Sequence, residues 1–258
     1  MDVTNIVPIR AFQDNYIWCI QRGNRAAVVD PGDAAPVLAH LDANGLQLAA
    51  IITTHHHADH VGGNTALLAK YNVPVFGPAG ERIPGITRKL IEGDLIEVPE
   101  IGLQLEVIDV PGHTAGHIAY FGAGLLFCGD TLFSSGCGRL FEGTAAQMQA
   151  SLAKLAALPP ETLVYCAHEY TLANLKFAAA AEPGNAAVRA RALAARAALD
   201  RGHPSVPSTL ETELAANPFL RTREPALIDA ASRFAGQALA SQVEVFAALR
   251  VWKDGFRS

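Results

Sequence analysis

The chain has 258 residues, half of them hydrophobic, with a net charge of −5. That size and apolar content suit one large domain or two modest ones with a real core. The acidic balance argues against a general nucleic-acid binder, and no run nears the roughly 18 apolar residues that would span a bilayer.

In chain order, residues 1–170 read as short apolar strands punctuated by Gly, Pro and Asp. The alternation predicts strands at Asn15–Cys19, Ala26–Val29, Ala49–Thr53, Val73–Phe76, Leu103–Val110, Ile118–Phe121, Leu125–Cys128 and Leu163–Cys166. Helical spacing predicts helices at Ala34–Asn44, Asn64–Tyr71 and Thr144–Ala157. Many strands with few helices suggest two sheets packed face to face, with helices outside. Near residue 170 the pattern changes. Residues 172–199 are Ala-rich with interspersed Arg and are broken once at Glu182-Pro-Gly-Asn185. Ser208-Thr-Leu-Glu211 and Ser241-Gln-Val-Glu244 read as capping boxes, and Pro225 suits a first helical turn. The tail is therefore expected to be helical, which divides the chain into 1–170 and 171–258. The first part holds 9 basic and 17 acidic residues, a balance of −8; the second holds 11 and 8, a balance of +3. A mildly basic tail beside an acidic body fits a small anionic ligand, although solvated Arg-rich helix faces explain most of those arginines.

The four cysteines, Cys19, Cys128, Cys137 and Cys166, form no CxxC pair and are expected as buried thiols. The first residues lack a basic start followed by an apolar stretch, so no secretory signal is expected. The default expectation is a cytoplasmic monomer with no nucleic-acid or membrane partner.

The strongest chemical signal is Ile51-Ile-Thr-Thr-His-His-His-Ala-Asp-His60, where a β-run feeds into His55, His57, Asp59 and His60. Imidazole nitrogen and carboxylate oxygen, without thiolate, suit zinc, iron or manganese. Side chains alternate along an extended segment, so His55 and His57 face one way and can share an ion. Asp59 and His60 follow a turn and can face a second. Three further strand ends offer His113 in Val110-Pro-Gly-His, Asp130 in Cys128-Gly-Asp, and His168 in Cys166-Ala-His. A rigid strand end aims each of these from a loop. One such histidine alone would be an ordinary hydrogen-bonded residue; a HxHxDH run with three more strand-end donors is specific for metal. His56 should face away, His117 should support the site, and His40 and His203 should lie at the surface.

Thr54-His-His-His-Ala-Asp-His60 together with Pro111-Gly-His-Thr114, Cys128-Gly-Asp130 and Cys166-Ala-His-Glu169 resembles the metallo-β-lactamase superfamily. The resemblance implies an α+β fold: an αββα sandwich followed, in this chain, by an all-helical C-terminal domain. It implies two divalent metal ions, zinc foremost, with His55, His57 and His113 on the first and Asp59, His60 and His168 on the second. Asp130 would bridge them, as would a hydroxide, and Asp59 would also orient that nucleophile. Gly136-Cys-Gly-Arg-Leu-Phe-Glu-Gly-Thr144, His168-Glu-Tyr-Thr171, Asn174-Leu-Lys-Phe177, Asn217-Pro-Phe-Leu-Arg221 and the ending Arg250-Val-Trp-Lys-Asp-Gly-Phe256 resemble, more narrowly, the glyoxalase II (hydroxyacylglutathione hydrolase) family. That implies hydrolysis of S-D-lactoylglutathione to D-lactate and glutathione, the second step of methylglyoxal detoxification. It also implies glutathione contacts from Arg139, Leu140, Phe141, Tyr170, Arg250 and Lys253. Some members carry Tyr where this chain has Phe141, which removes one hydroxyl contact. Independently of the resemblance, Arg250 and Lys253 are three apart on a predicted helix and share a face that could hold a carboxylate. Without the resemblance, an ordinary basic helix end is the preferred explanation of that pair. A chain ending near residue 170 is accordingly expected to keep some metal binding and to lose glutathione recognition.

Other enzymes of the same fold, including a mono-iron persulfide dioxygenase, a lactonase or a β-lactamase, are the alternatives. The full ligand set and the helical tail argue against the dioxygenase. A metal-binding module without activity is the alternative outside enzymes, and the complete ligand set argues against it.

Overall fold

The computed structural model describes residues 5–257. They divide into two compact units, one of residues 5–109 and 114–129 and the other of residues 110–113 and 130–257. By compactness, residues 110–113 and 130–169 group with the helical tail.

The first unit opens with β1 (Asn5–Ala11), β2 (Asn15–Arg22) and β3 (Arg25–Val29), an antiparallel run. After α1 (Ala34–Ala43), β4 (Gln47–Ile52) joins β3 in parallel. The helices α2 (Ala58–Val61) and α3 (Asn64–Lys70) lead to β5 (Val75–Pro78) and β6 (Arg88–Leu90), also parallel, and complete a sheet in the order β1-β2-β3-β4-β5-β6. β7 (Leu95–Val98), β8 (Leu103–Asp109), β9 (Ile118–Gly122) and β10 (Leu125–Gly129) form a second, antiparallel run.

The apolar sequences of β3 and β4 explain their central place. On one face Ala26, Val28, Leu48 and Ile51 pack with Val37, Leu41 and Leu67 of the outer helices. The alternate residues, Ala27, Val29, Ala50 and Ile52, are equally buried. A sheet buried on both faces tolerates no polar alternation, which is why these strands read as continuous apolar runs. Across that second face, the Tyr120 hydroxyl on β9 donates to the Thr53 carbonyl at 2.8 Å. The two-sheet expectation holds within this unit.

The second unit contains β11 (Leu132–Phe133), β12 (Gly136–Cys137), α4 (Ala145–Ala156) and β13 (Leu163–Cys166). It continues through α5 (Thr171–Ala181), α6 (Ala186–Asp200), β14 (Ser208–Thr209), α7 (Leu210–Ala216), α8 (Pro225–Ala235) and α9 (Gln242–Gly255). Leu175, Ala178, Val188, Ala195 and Ala216 form the contact between α5, α6 and α7; small residues let these helices approach closely. Phe177, Phe219 and Phe246 build an aromatic core with Trp252 at its edge. Thr144 and Ser241 each complete a capping box, with Gln147 and Glu244. The box expected at Ser208 does not form. Thr209 caps α7 through the Thr212 N–H, and the Ser208 hydroxyl turns inward to Glu213 at 2.6 Å. Ser208 is held as a strand residue opposite Val164, so the helix starts one residue later. No helix among the described residues is long and apolar enough to cross a membrane.

Candidate metal centre

Each unit carries its own group of metal-type donors at strand ends. In the first, β4 ends at Ile52, and Thr53, Thr54 and His55 continue it before the chain turns into α2. His55 is fully buried and its Nε2 lies 3.1 Å from His57 Nδ1. One turn on, His60 Nε2 lies 3.5 Å from Asp59 Oδ2. Two donors sharing an ion at about 2.0–2.1 Å in tetrahedral geometry stand roughly 3.4 Å apart. Both spacings are therefore those of ligand atoms around a common ion.

The other ring nitrogens are fixed by a buried carboxylate that the sequence reading did not single out. Asp30 Oδ1 accepts the Thr54 N–H at 2.7 Å; its Oδ2 accepts the Thr54 hydroxyl at 2.8 Å and His60 Nδ1–H at 3.1 Å. Because Thr54 Oγ1 spends its proton on Asp30, it accepts from His55 Nδ1–H at 3.0 Å. Both histidines are thus set in the tautomer that leaves Nε2 bare, as a metal ligand requires. Asp30 adopts a left-handed φ of 52°, an uncommon state for a non-glycine residue, held by its N–H on the Ile52 carbonyl at 2.9 Å. Asn15, on β2, donates through Nδ2 to Asp59 Oδ2 at 3.1 Å and so orients that carboxylate. Gly32 makes room for α2: a Cβ there would meet the Asp59 carbonyl oxygen at 1.8 Å.

In the second unit, Asp130 follows β10 directly and is 6% exposed. Its Oδ2 lies 3.4 Å from His113 Nε2, and its Oδ1 lies 3.4 Å from His168 Nε2. One carboxylate thus offers each oxygen to a different imidazole. His113 Nδ1–H donates to the Arg139 carbonyl at 2.9 Å, which again leaves Nε2 bare. The His168 ring lies nearly parallel to Tyr170, 4.7 Å away.

The remaining histidines separate by role. His117 is fully buried and stacks on His55 at 4.5 Å, supporting the ring as expected. His56 points to Glu81, with Nδ1 3.0 Å from Oε2. His203 is exposed. His40, expected at the surface, is half-buried on α1.

The residues expected to meet glutathione all lie in the second unit. Arg139 is exposed, with its Nε 3.6 Å from Asp254 Oδ1. Leu140 is half-buried, and Phe141 is exposed with its ring against His113 at 5.2 Å. Arg250 and Lys253 share α9, but not as a pair of open cations. Arg250 is only 5% exposed: Nη1 donates to the Cys137 carbonyl and Nη2 to Asp254 Oδ1, both at 2.9 Å. Lys253 is half-buried and donates to the Ala173 carbonyl at 3.3 Å. Burial, then the neighbouring Arg250 and Arg139, lower its pKa from the usual lysine range. The helix packs its 250 position inward against β12, which a solvated basic helix end would not do. Burial pushes the Cys137 thiol up to about 11, with Arg250 partly opposing it, and pushes Cys19 and Cys166 to about 12. All four cysteines are buried thiols outside any disulfide.

Sandwiched sheets with His and Asp donors at the strand ends define a metallo-β-lactamase superfamily fold, and the model of that superfamily matches residues 12–168. The model of the hydroxyacylglutathione hydrolase C-terminus matches residues 169–256. The chain belongs to the hydroxyacylglutathione hydrolase family. It is 60% identical over 254 residues to the hydroxyacylglutathione hydrolase of Alkalilimnicola ehrlichii, covering 98% of this chain and 99% of that one. It is 53% identical over 253 residues to the protein of the same name from Nitrosomonas eutropha, with 98% and 99% covered. Among solved structures it resembles ETHE1 from Myxococcus xanthus, with a TM-score of 0.66 at 24% identity over 96% of this chain and 89% of that one. It also resembles TTHA1623 in a di-iron-bound form, with a TM-score of 0.57 at 27% identity over 85% and 100%.

Proposed function

We propose that this chain hydrolyses S-(2-hydroxyacyl)glutathione thioesters, S-D-lactoylglutathione foremost, to the 2-hydroxy acid and free glutathione. The family membership supports the reading along nearly the whole chain, helical tail included. The observation that carries the chemistry is Asp130, which offers one oxygen toward each of two imidazoles, His113 and His168.

The donors fit divalent metal: imidazoles, three of them (His55, His60 and His113) with the Nδ1 proton held by a partner, and carboxylates, all at strand ends. His55, His57 and His113 would hold one ion; Asp59, His60 and His168 would hold the other; Asp130 would serve both. Zinc suits this set, as do iron and manganese. When bound, such ions would lower the pKa of water to about 7 and polarise a carbonyl. The chain's own residues do the rest. Asp30 and Thr54 keep the ring protons of His55 and His60 away from the donor atoms, and Asn15 fixes the Asp59 carboxylate for orienting the attacking oxygen. Arg139, Arg250 and Lys253 would meet the glutathione carboxylates, beside Leu140, Phe141 and Tyr170. The leaving group is a thiolate, a weak base, so no protein acid is needed to expel it.

The test is an alanine series across the seven donors, reading metal content and S-D-lactoylglutathione hydrolysis. Asp130→Ala is expected to be the most damaging single change, because each histidine serves one ion and Asp130 serves two. Retention of metal and activity in Asp130→Ala, with loss in a histidine variant, would contradict the shared role.

A further inference from the structure

The His55-His-His57 run contains one histidine outside the donor set, and its partner identifies a residue with no assigned role. Glu81 sits in the loop between β5 and β6, with its side chain 3% exposed. A carboxylate this deeply desolvated is costly unless its lone pairs are used. Here Oε1 accepts the Thr114 hydroxyl in a short hydrogen bond and the Gly116 N–H at 3.1 Å, while Oε2 lies 3.0 Å from His56 Nδ1. Thr114 is the residue after His113, and His56 lies between His55 and His57. One side chain from a third segment therefore hydrogen-bonds to the turn that follows His113 and packs its other oxygen against the residue between His55 and His57. The fit is close. A Cβ on Gly116 would come within 2.7 Å of Glu81 Cγ and 3.2 Å of Oε1, so glycine permits the contact.

We infer that Glu81 is a positioning residue for the metal centre: it braces the His113–Gly116 turn and the His55–His57 run to a common anchor, and so sets the affinity of the site for metal. The inference rests on the two-metal reading above. Its contacts reach none of the seven donors directly, which distinguishes it from Asp30 and Asn15. Hydrogen bonding is what the brace requires. Glutamine can reproduce it, with its Oε1 still accepting from the Thr114 hydroxyl and the Gly116 N–H.

The experiment measures zinc affinity by competition with a graded chelator, and the absorption spectrum of the cobalt-substituted protein, for the wild type, Glu81→Ala and Glu81→Gln. Melting temperatures are recorded alongside. Removing an outer partner of a metal site weakens binding roughly 10- to 100-fold. Glu81→Ala should show a loss of that size and an altered cobalt spectrum, and Glu81→Gln should recover to within about threefold of the wild type. A folded Glu81→Ala protein with wild-type affinity and spectrum, only melting earlier, overturns the inference and makes Glu81 a loop staple. Glutamine as weak as alanine overturns it too. If Glu81→Ala does not fold, Gly116→Ala is read in the same way, because it displaces Glu81 while leaving every polar group in place; unchanged affinity there is equally fatal. A wild type that binds no zinc would instead sink the two-metal reading itself, so the two failures are distinguishable.

Discussion

Arg250 and Lys253 stand three residues apart on one helix, yet their surroundings assign them different consequences. Arg250 is tied to the Cys137 carbonyl and to Asp254, and lies over the Phe219 ring at 5.1 Å. Lys253 has a single exposed-side hydrogen bond to Ala173. Lys253→Ala is expected to raise KM for the glutathione thioester with little change in kcat or melting temperature. A lost charge-assisted contact is worth about 1.5–3 kcal/mol, or roughly ten- to hundred-fold in kcat/KM. Arg250→Ala should produce a KM defect together with a lower melting temperature, because it also leaves the buried Cys137 carbonyl without its donor. Steady-state kinetics beside thermal melting check this, with a simple thioester as the control that should lose nothing at Lys253. Equal losses on both substrates would mean that Lys253 is structural. Such differences explain what the sequence could and could not reveal. The candidate donors were legible because His55, His57, Asp59 and His60 crowd into six residues. Asp30, Asn15 and Glu81 were not, because an acid or amide 24 to 44 positions from its partner in sequence resembles any other polar residue. Only Asp30 carried a faint mark, lying at a strand end before Pro31-Gly32.

The elements were legible where one physical signal dominated. β3 and β4 are continuous apolar runs buried on both faces, and α4 and α9 carry complete capping boxes. β1 was missed because Pro8 and Arg10 interrupt its alternation, which an edge strand tolerates and an interior one does not. The two-residue strands β11, β12 and β14 are too short to leave any periodicity. These short pieces tie residues 130–169 to the tail. The Ser134 and Ser135 turn gives its hydroxyl and N–H to buried Glu213 at 2.9 and 2.6 Å. Asn217 donates to the Phe133 and Gly136 carbonyls at 3.1 and 2.9 Å, and Asn174 to the Ser134 carbonyl at 3.1 Å. Each buried group left unpaired costs about 1–3 kcal/mol, against a total domain stability of about 5–15 kcal/mol. A chain ending near residue 170 loses all of these partners at once. It is now expected to lose the fold of residues 130–169, and with it Asp130 and His168 as donors, instead of keeping metal and losing only glutathione. Circular dichroism, limited proteolysis and metal content check the outcome. A folded truncate holding two ions would contradict it.

At the scale of the whole molecule, one chain joins a metallo-β-lactamase-type sequence over residues 12–168 to a hydroxyacylglutathione hydrolase tail over 169–256. The acidic balance of 1–170 and the positive balance of 171–258 fit that arrangement, since the proposed contacts Arg250 and Lys253 both belong to the tail. The central claim is that hydrolysis of the glutathione thioester depends on two ions held by the seven donors. The most direct measurement strips the protein of metal, then titrates zinc back while following S-D-lactoylglutathione hydrolysis. The account predicts negligible activity without metal and a rise that saturates at two equivalents of zinc per chain. Full activity in the metal-free chain, or saturation at a single equivalent, would contradict it.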